Sequence, residues 1–206
     1  MNNKFSFKEL AKQFVADDKY FCKSYTNDHI MNIGARSAKI FGKNINYAKI
    51  IEMISNYAQC CLCSMGSMNR IDWLQELLES VSDLYTASVL LRAVYGISDK
   101  DLSIDERNEK VREIIDSEKC TYNLRVNRFL MRSINGITNL MQYGDNDNIA
   151  MDAYLFLYTA YDQIKNHINI SSKDIMMIHT IKLNQFEINL VEAEACENKE
   201  KIVWRI

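Results

Sequence analysis

The sequence predicts an all-α fold, a four-helix-type bundle with an additional C-terminal helical pair. Apolar residues recur at three- and four-residue intervals through most of the chain, which is the spacing of one helical face. The 206 residues include no proline, and its absence fits long helices joined by short polar turns. An apolar content of 48% is typical of a protein that buries a core.

Residues 71–97 form the longest predicted helix, and we expect the other helices to pack around it. Gly96 stands where a glycine commonly ends a helix. At 1.5 Å per residue this helix is roughly 40 Å long, enough for the central helix of a bundle. The residues of its apolar face are Leu74, Leu77, Leu78, Val81, Leu84, Tyr85, Leu91, Val94 and Tyr95.

Three helices are predicted before this central one. They cover residues 7–18, 27–41 and 45–65, and each has apolar residues at helical spacing. Gly42 is expected to end the second of them. Gly34 lies inside that same helix, where a glycine lowers helix propensity, so we expect it to weaken the helix.

After the central helix, Ser103 and Glu106 have the spacing of a capping box, which predicts a helix start. The sequence leaves open whether this helix continues into residues 119–143 or breaks near Ser117. Either way, residues 119–143 have the apolar spacing of a helix.

The clearest break in the chain is the polar turn at residues 144–147. It divides a predicted helical bundle, residues 1–143, from a C-terminal helical pair, residues 148–198, packed on or beside the bundle. Asp147 or Asn148 is the predicted N-cap of the first helix in this pair. The sequence does not predict a conformation for the tail that follows the pair.

Charge is distributed unevenly along a chain whose net charge is −2. Residues 71–118 carry five basic and twelve acidic residues. Residues 119–143 carry four basic residues and no acidic one. A basic helix without acids, inside a mildly acidic protein, is the electrostatic feature that points most directly to a binding function.

Cysteine usage predicts a cytoplasmic, reduced protein without a metal or another cofactor. Cys60 and Cys63 lie one helical turn apart, but a zinc site usually needs a second such pair, which the sequence lacks. We therefore expect a structural role in the core. The N-terminus has no signal-like apolar run, and no stretch is long and apolar enough to suggest a membrane span.

Patterns typical of helical enzymes are mostly absent. No histidine has Glu three residues before it, as di-iron bundles require, or Arg four to six residues upstream, as in HEPN-type ribonucleases. Two carboxylate pairs remain that could hold Mg²⁺ for nucleotide pyrophosphate hydrolysis, as in all-α MazG-like enzymes. These pairs are Glu76 with Glu79 and Glu113 with Asp116, which are more typical of a solvated helix face.

The basic helix has two separate stripes. We call the first the arginine stripe; it consists of Arg125, Arg128, Arg132, Asn135 and Asn139. The second is apolar and is expected to pack inward; it consists of Val126, Phe129, Leu130, Ser133, Ile137 and Leu140. The arginine stripe should therefore face solvent, a partner or nucleic acid. The alternative is that its arginines pair with the acidic residues of segment 71–118.

A recognisable order of features runs through residues 45–129. The sequence LLRAVYGI ends a long helix at residues 90–97, a polar link follows, a capped helix starts at Ser103, and RVNR lies at residues 125–128. This order resembles the helical accessory proteins of diversity-generating retroelements, part of a wider four-helix-bundle group. The resemblance implies a pentameric, non-catalytic, nucleic-acid-binding partner of a reverse transcriptase. This chain departs from that family in its slight acidity and in its added helices at both ends.

The sequence predicts a helical protein that binds a partner protein or RNA, and the resemblance implies that it is a non-catalytic accessory protein, associated with a reverse transcriptase and assembled as a homo-oligomer. The arginine stripe would make the contact, and no membrane is involved. One alternative is a protein-interaction module of a phage or mobile element, and a second is the metal-dependent nucleotide hydrolase. The interaction module would expose an aromatic patch formed by Tyr154, Tyr158, Tyr161 and Trp204.

Overall fold

The computed structural model of the chain describes residues 27–63, 70–98 and 100–195. Over these residues the chain is all-α, as the sequence predicts, with seven helices and no strand. The helices are α1 Asn27–Phe41, α2 Lys43–Cys63, α3 Arg70–Tyr95, α4 Ile104–Ser117, α5 Tyr122–Tyr143, α6 Asp147–His167 and α7 Ser172–Ala195. The helix predicted for residues 7–18 and the tail after residue 195 lie outside the described residues. No helix in the described part is both long and apolar enough to cross a lipid bilayer.

The predicted capping box at the start of α4 is confirmed. The Ser103 hydroxyl accepts a hydrogen bond from the Glu106 backbone N–H, and the Glu106 carboxylate accepts one from the Ser103 backbone N–H at 2.9 Å. The helix ends at Ser117, and α5 begins at Tyr122. The chain therefore breaks between these two helices, which decides between the two possibilities that the sequence left open.

The N-cap of α6 is Asn146, so the predicted cap at Asp147 or Asn148 is wrong by one or two residues. The Asn146 side-chain oxygen accepts a hydrogen bond from the Ile149 backbone N–H at 3.1 Å. Asp147 instead lies in the first turn, where the helix dipole favours a carboxylate. Its Oδ1 accepts a hydrogen bond from the Tyr95 hydroxyl at 2.9 Å, which ties α6 to the end of α3.

Helix α3 is the central helix, in contact with α1, α2, α6 and α7. Four helices form a closed ring in which α2 packs on α3, α3 on α6, α6 on α5 and α5 on α2. This ring is a four-helix bundle, and one of its members is α6, which the sequence assigns to the C-terminal pair and not to the bundle. Helices α1 and α7 pack against α3 and against each other, while α4 packs on α6.

One hydrophobic core runs through the described helices and continues across the turn at Gly144 into α6 and α7. On α3, even the small polar residues are buried, because helices pack around it on several sides. The hydroxyls of Ser80 and Thr86 donate hydrogen bonds to carbonyls of the same helix, at 2.9 and 2.8 Å. Buried hydroxyls satisfied in this way add little cost to the core.

Two glycines allow neighbouring helices to approach closely. A Cβ on Gly34 would overlap the Cβ of Ala93, where α1 crosses α3. A Cβ on Gly136 would lie 2.8 Å from the Cβ of Ala153, where α5 crosses α6. Gly34 lowers the helix propensity of α1, as the sequence indicates, but it also permits the packing of α1 on the central helix.

Candidate functional site

Helix α5 carries the residues that the sequence singles out for binding. It has six buried side chains, and these are the six predicted to face inward: Val126, Phe129, Leu130, Ser133, Ile137 and Leu140. The prediction of an inward stripe is thus confirmed. Helix α5 packs against α6 and α2, which fixes its rotation about its own axis and leaves the arginine stripe on another face.

Two arginines of the stripe share one carboxylate. Arg128 Nη1 lies 2.8 Å from Glu118 Oε2, and Arg132 Nη2 lies 2.7 Å from Glu118 Oε1. The Glu118 side chain is only 8% exposed, whereas the arginine side chains are 50% and 48% exposed. The hydrogen bond from Arg128 and the charges of both arginines lower the pKa of Glu118. The alternative of pairing with the acidic segment therefore holds for these two arginines, through the last residue of that segment.

The cluster formed by Glu118, Arg128 and Arg132 keeps a net positive charge, because two guanidinium groups face one carboxylate. Helix α5 itself contains no acidic residue. The guanidinium carbon of Arg132 also lies 5.1 Å from the ring centroid of Phe156 on α6, a cation–π contact that helps to hold it. The outer face of α5 thus presents positive charge in a defined geometry.

The remaining members of the stripe differ in exposure. Asn135 and Asn139 are exposed, so that their amide groups can reach a ligand. Arg125 is partly buried, and its Nε–H has no hydrogen-bond acceptor. Within the part of the chain that the structure describes, Arg125 makes no ion pair. None of the described carboxylates therefore neutralises the charge of Arg125, whereas Glu118 neutralises part of the charge of Arg128 and Arg132.

Sequence reasoning missed three exposed apolar side chains on this helix. Leu124 is 46% exposed, Met131 is 55% exposed and Tyr143 is 82% exposed. At about 100° per residue, all three lie within roughly 60° of Arg128 around the helix axis. The sequence does contain a signal for them, because all three are apolar residues of this helix that lie outside its inward-facing stripe.

The exposed aromatic patch predicted around residues 154–161 is wrong. Tyr154 and Tyr161 are each only 3% exposed. The ring of Tyr158 lies 6.1 Å from Tyr154 and 5.9 Å from Tyr161, centroid to centroid. The reason is that α6 packs against α3, α4 and α5, so that aromatic residues on several of its sides are covered. Trp204, expected in the same patch, lies outside the described residues.

The described residues do not assemble the metal site that the alternative hydrolase requires. No three His, Cys, Asp or Glu side chains in the described part of the chain are arranged to hold a metal ion. The four carboxylates proposed for that enzyme therefore form no such group; they are Glu76, Glu79, Glu113 and Asp116. Of the clustered cysteines, Cys60 is buried in the core, as expected for a structural residue, and Cys61 is exposed.

Comparison of the chain with protein-family models, with curated proteins and with solved structures gives no match. The resemblance to accessory proteins of diversity-generating retroelements therefore stays a prediction. The same holds for the reverse transcriptase partner and the oligomer that it implies. A function has to be argued from the chemistry of the outer face of α5.

Proposed function

We propose that this protein is a non-catalytic helical accessory protein that binds RNA through the outer face of α5. The charge balance of this face carries the proposal. Among the described residues, Glu118 is the one carboxylate that pairs with Arg128 and Arg132, and α5 contributes no acid of its own. Arg125, which makes no ion pair within the described ranges, adds to this excess of positive charge. A helical face with a net positive charge attracts the phosphate groups of a nucleic acid.

The side chains on this face suit single-stranded RNA. Guanidinium groups bind phosphate oxygens and set the position of the strand. The exposed amides of Asn135 and Asn139 both donate and accept hydrogen bonds, so they can pair with the edges of unstacked bases. The exposed ring of Tyr143 offers a surface on which a base can stack.

The proposal includes association with a reverse transcriptase and assembly into a homo-oligomer. Both rest on the resemblance of residues 45–129 to retroelement accessory proteins, in which a basic oligomer serves the polymerase. Light scattering of the purified chain measures the oligomeric state without any RNA present. Co-purification with a reverse transcriptase encoded beside it tests the partner.

The decisive experiment changes the charge of the Glu118 cluster in both directions. Glu118→Gln removes the carboxylate that competes with RNA phosphates, so we expect tighter binding of a short fluorescent single-stranded RNA. The double variant Arg128→Gln/Arg132→Gln removes two phosphate contacts, so we expect binding about tenfold weaker at low salt. Fluorescence anisotropy titrations give the dissociation constants, and circular dichroism verifies that each variant is folded.

A matched control removes two positive charges elsewhere. Lys110 and Arg112 are exposed on α4, and the variant Lys110→Gln/Arg112→Gln changes the net charge by the same amount as the α5 double variant. We expect its affinity for RNA to stay near the wild-type value. Equal weakening in both double variants, or weaker binding by Glu118→Gln, would show that the outer face of α5 is not the RNA site.

Absence of RNA binding at low salt would contradict the proposal, and the experiment then addresses a second candidate. Leu124 and Met131 are exposed beside the arginines of α5, and this mixture of apolar and basic groups also fits an acidic, partly apolar protein segment. A protein-interaction module predicts the same order of affinities among the variants with an acidic amphipathic peptide as the probe.

A further inference from the structure

A pocket of about 200 Å³ lies between helices α1, α3, α4 and α6, away from the arginine stripe. Its apolar lining consists of isoleucine, methionine and valine side chains. Its polar lining is formed by Tyr85, Ser88, Arg92, Arg107, Tyr154 and Tyr158. Two arginines, three tyrosines and no acidic residue among the described lining residues make an unusual surface for a concavity in a slightly acidic protein.

Arg107 is held in this pocket by aromatic residues and not by a carboxylate. Its guanidinium carbon lies 4.4 Å from the ring centroid of Tyr158, a close cation–π contact. Its interaction with Tyr154 also favours the charged form of Arg107. Its Nε–H is buried and has no acceptor. Within the described part of the chain Arg107 makes no ion pair, so none of the described carboxylates neutralises its charge.

The described residues that line the pocket include two arginines and no carboxylate. Burial opposes the charged form of Arg107, but its interactions with Tyr154 and Tyr158 favour that form, so the pKa of Arg107 is raised and it is charged at physiological pH. Burial raises the pKa values of Tyr85 and Tyr158, so both are neutral phenols at physiological pH. Arg92 also lines the pocket, and its Nε donates a hydrogen bond to the Ile97 carbonyl at 2.8 Å.

The size of the pocket limits what it can hold. An apolar protein cavity of about 150 Å³ is known to bind benzene, so about 200 Å³ accommodates one ring and a small head group. Aromatic and apolar walls with a few convergent polar groups are the usual lining of small-molecule sites. The walls therefore suit a flat ring, and the guanidinium of Arg107 suits an anionic head.

We propose that this pocket binds a small organic anion, a single planar ring that carries a carboxylate or phosphate group. The head group pairs with the guanidinium of Arg107, and the ring packs against the tyrosine and apolar walls. The site is separate from the RNA-binding face, because α6 turns Phe156 toward Arg132 and turns Tyr154 and Tyr158 toward the pocket. Either proposal can therefore fail while the other holds.

The first test uses the wild-type chain with three matched probes, benzoate, phenyl phosphate and the neutral isostere benzamide. We expect saturable shifts of the Arg107 Nε–H signal in ¹H–¹⁵N spectra with at least one of the two anions. Benzamide should bind at least about tenfold more weakly, because it lacks the charge that pairs with arginine. The tighter of the two anions identifies the head group. Equal binding of all three probes, or no shift at Arg107 with any of them, would overturn the proposal.

The second test compares two arginines of α4. Arg107→Met keeps the length of the side chain but removes its charge, and we expect anion affinity to fall at least about tenfold. Arg112→Met, on the exposed side of the same helix, should bind like the wild type. If Arg107→Met does not fold, Arg107→Lys keeps the positive charge without the planar fork and should bind more weakly than the wild type. Undiminished binding by a folded Arg107 variant counts against the site.

Discussion

Two arginines on opposite sides of α6 show two different uses of the same side chain. Arg132 lies over the ring of Phe156 at 5.1 Å, and Arg107 lies over the ring of Tyr158 at 4.4 Å. Arg132 also pairs with Glu118, whereas Arg107 makes no ion pair in the described part of the chain and is held by tyrosines. Arg132 thus has a carboxylate partner within the protein, whereas Arg107 has none among the described residues.

This difference has a consequence for binding at each place. A ligand phosphate that approaches Arg132 competes with a carboxylate already 2.7 Å away, so the gain in free energy is reduced. An anion that reaches Arg107 in the pocket meets no competing carboxylate among the described residues. We therefore expect broad, salt-sensitive binding on the outer face of α5 and more selective binding in the pocket.

The two arginines should also differ in the stability that each contributes. Arg107→Ala removes a close, partly buried cation–π contact, and we expect a loss of about 2 kcal/mol in the free energy of unfolding. Arg132→Ala removes a half-exposed ion pair, so we expect a smaller loss. Urea denaturation followed by circular dichroism measures both. Equal losses would remove the distinction between the two environments.

Close helix crossings allow the two sites to be disturbed separately. Gly34→Ala forces a methyl group against Ala93 where α1, which lines the pocket, crosses α3. Gly136→Ala does the same against Ala153, where α5 crosses α6. Overpacking of this kind typically costs about 1–3 kcal/mol, partly offset by the better helix propensity of alanine.

In these glycine variants, anion binding should weaken in Gly34→Ala and persist in Gly136→Ala, while RNA binding should show the reverse pattern. Titrations of both variants with benzoate and with RNA give the four affinities. Loss of both activities in both variants would mean that a change in packing at either helix crossing disturbs the pocket and the outer face of α5 together.

The sequence predicts the stripe on α5 but not the pocket, and the reason is geometric. Local spacing along one helix identifies an inward face, and all six residues predicted for α5 are buried. The pocket instead combines Tyr85 on α3, Arg107 on α4 and Tyr158 on α6, which lie far apart in the chain. The apolar spacing along one helix does not show how many other helices pack against it. The sequence therefore predicts an exposed patch at the tyrosines of α6, although α3 and α4 pack against this helix.

His179 supports the aromatic wall of the pocket from behind. Its ring lies 4.6 Å from the ring of Tyr85, and its Nδ1 lies 2.8 Å from the Thr86 hydroxyl. That hydroxyl donates its proton to the Ser82 carbonyl, so it can only accept from His179, and Nδ1 carries the imidazole proton. Nε2 is then an unprotonated, buried nitrogen without a partner. Burial and the charge of Lys182 lower the pKa of His179 to about 3.

The titration of His179 predicts a loss of stability in acid. Between pH 6.5 and 3 the unfolded chain binds a proton that the folded chain excludes, so the free energy of unfolding falls as the pH falls. One such group contributes up to about 1.4 kcal/mol per pH unit. His179→Asn should show a shallower fall than the wild type over this range in urea denaturation. Parallel curves would mean that His179 does not stay neutral behind the pocket.

The smallest expected effect compares a paired and an unpaired arginine within the arginine stripe. Each phosphate contact on single-stranded nucleic acid contributes about 0.7 to the slope of log affinity against log salt. Arg125 has no ion pair among the described residues, so Arg125→Gln should lower the slope by about that amount. Arg128→Gln should lower it less, because Glu118 already neutralises part of the charge of Arg128. In the background of Glu118→Gln, the two single variants should have equal slopes. Unequal slopes in that background would show that something other than the shared carboxylate separates the two arginines.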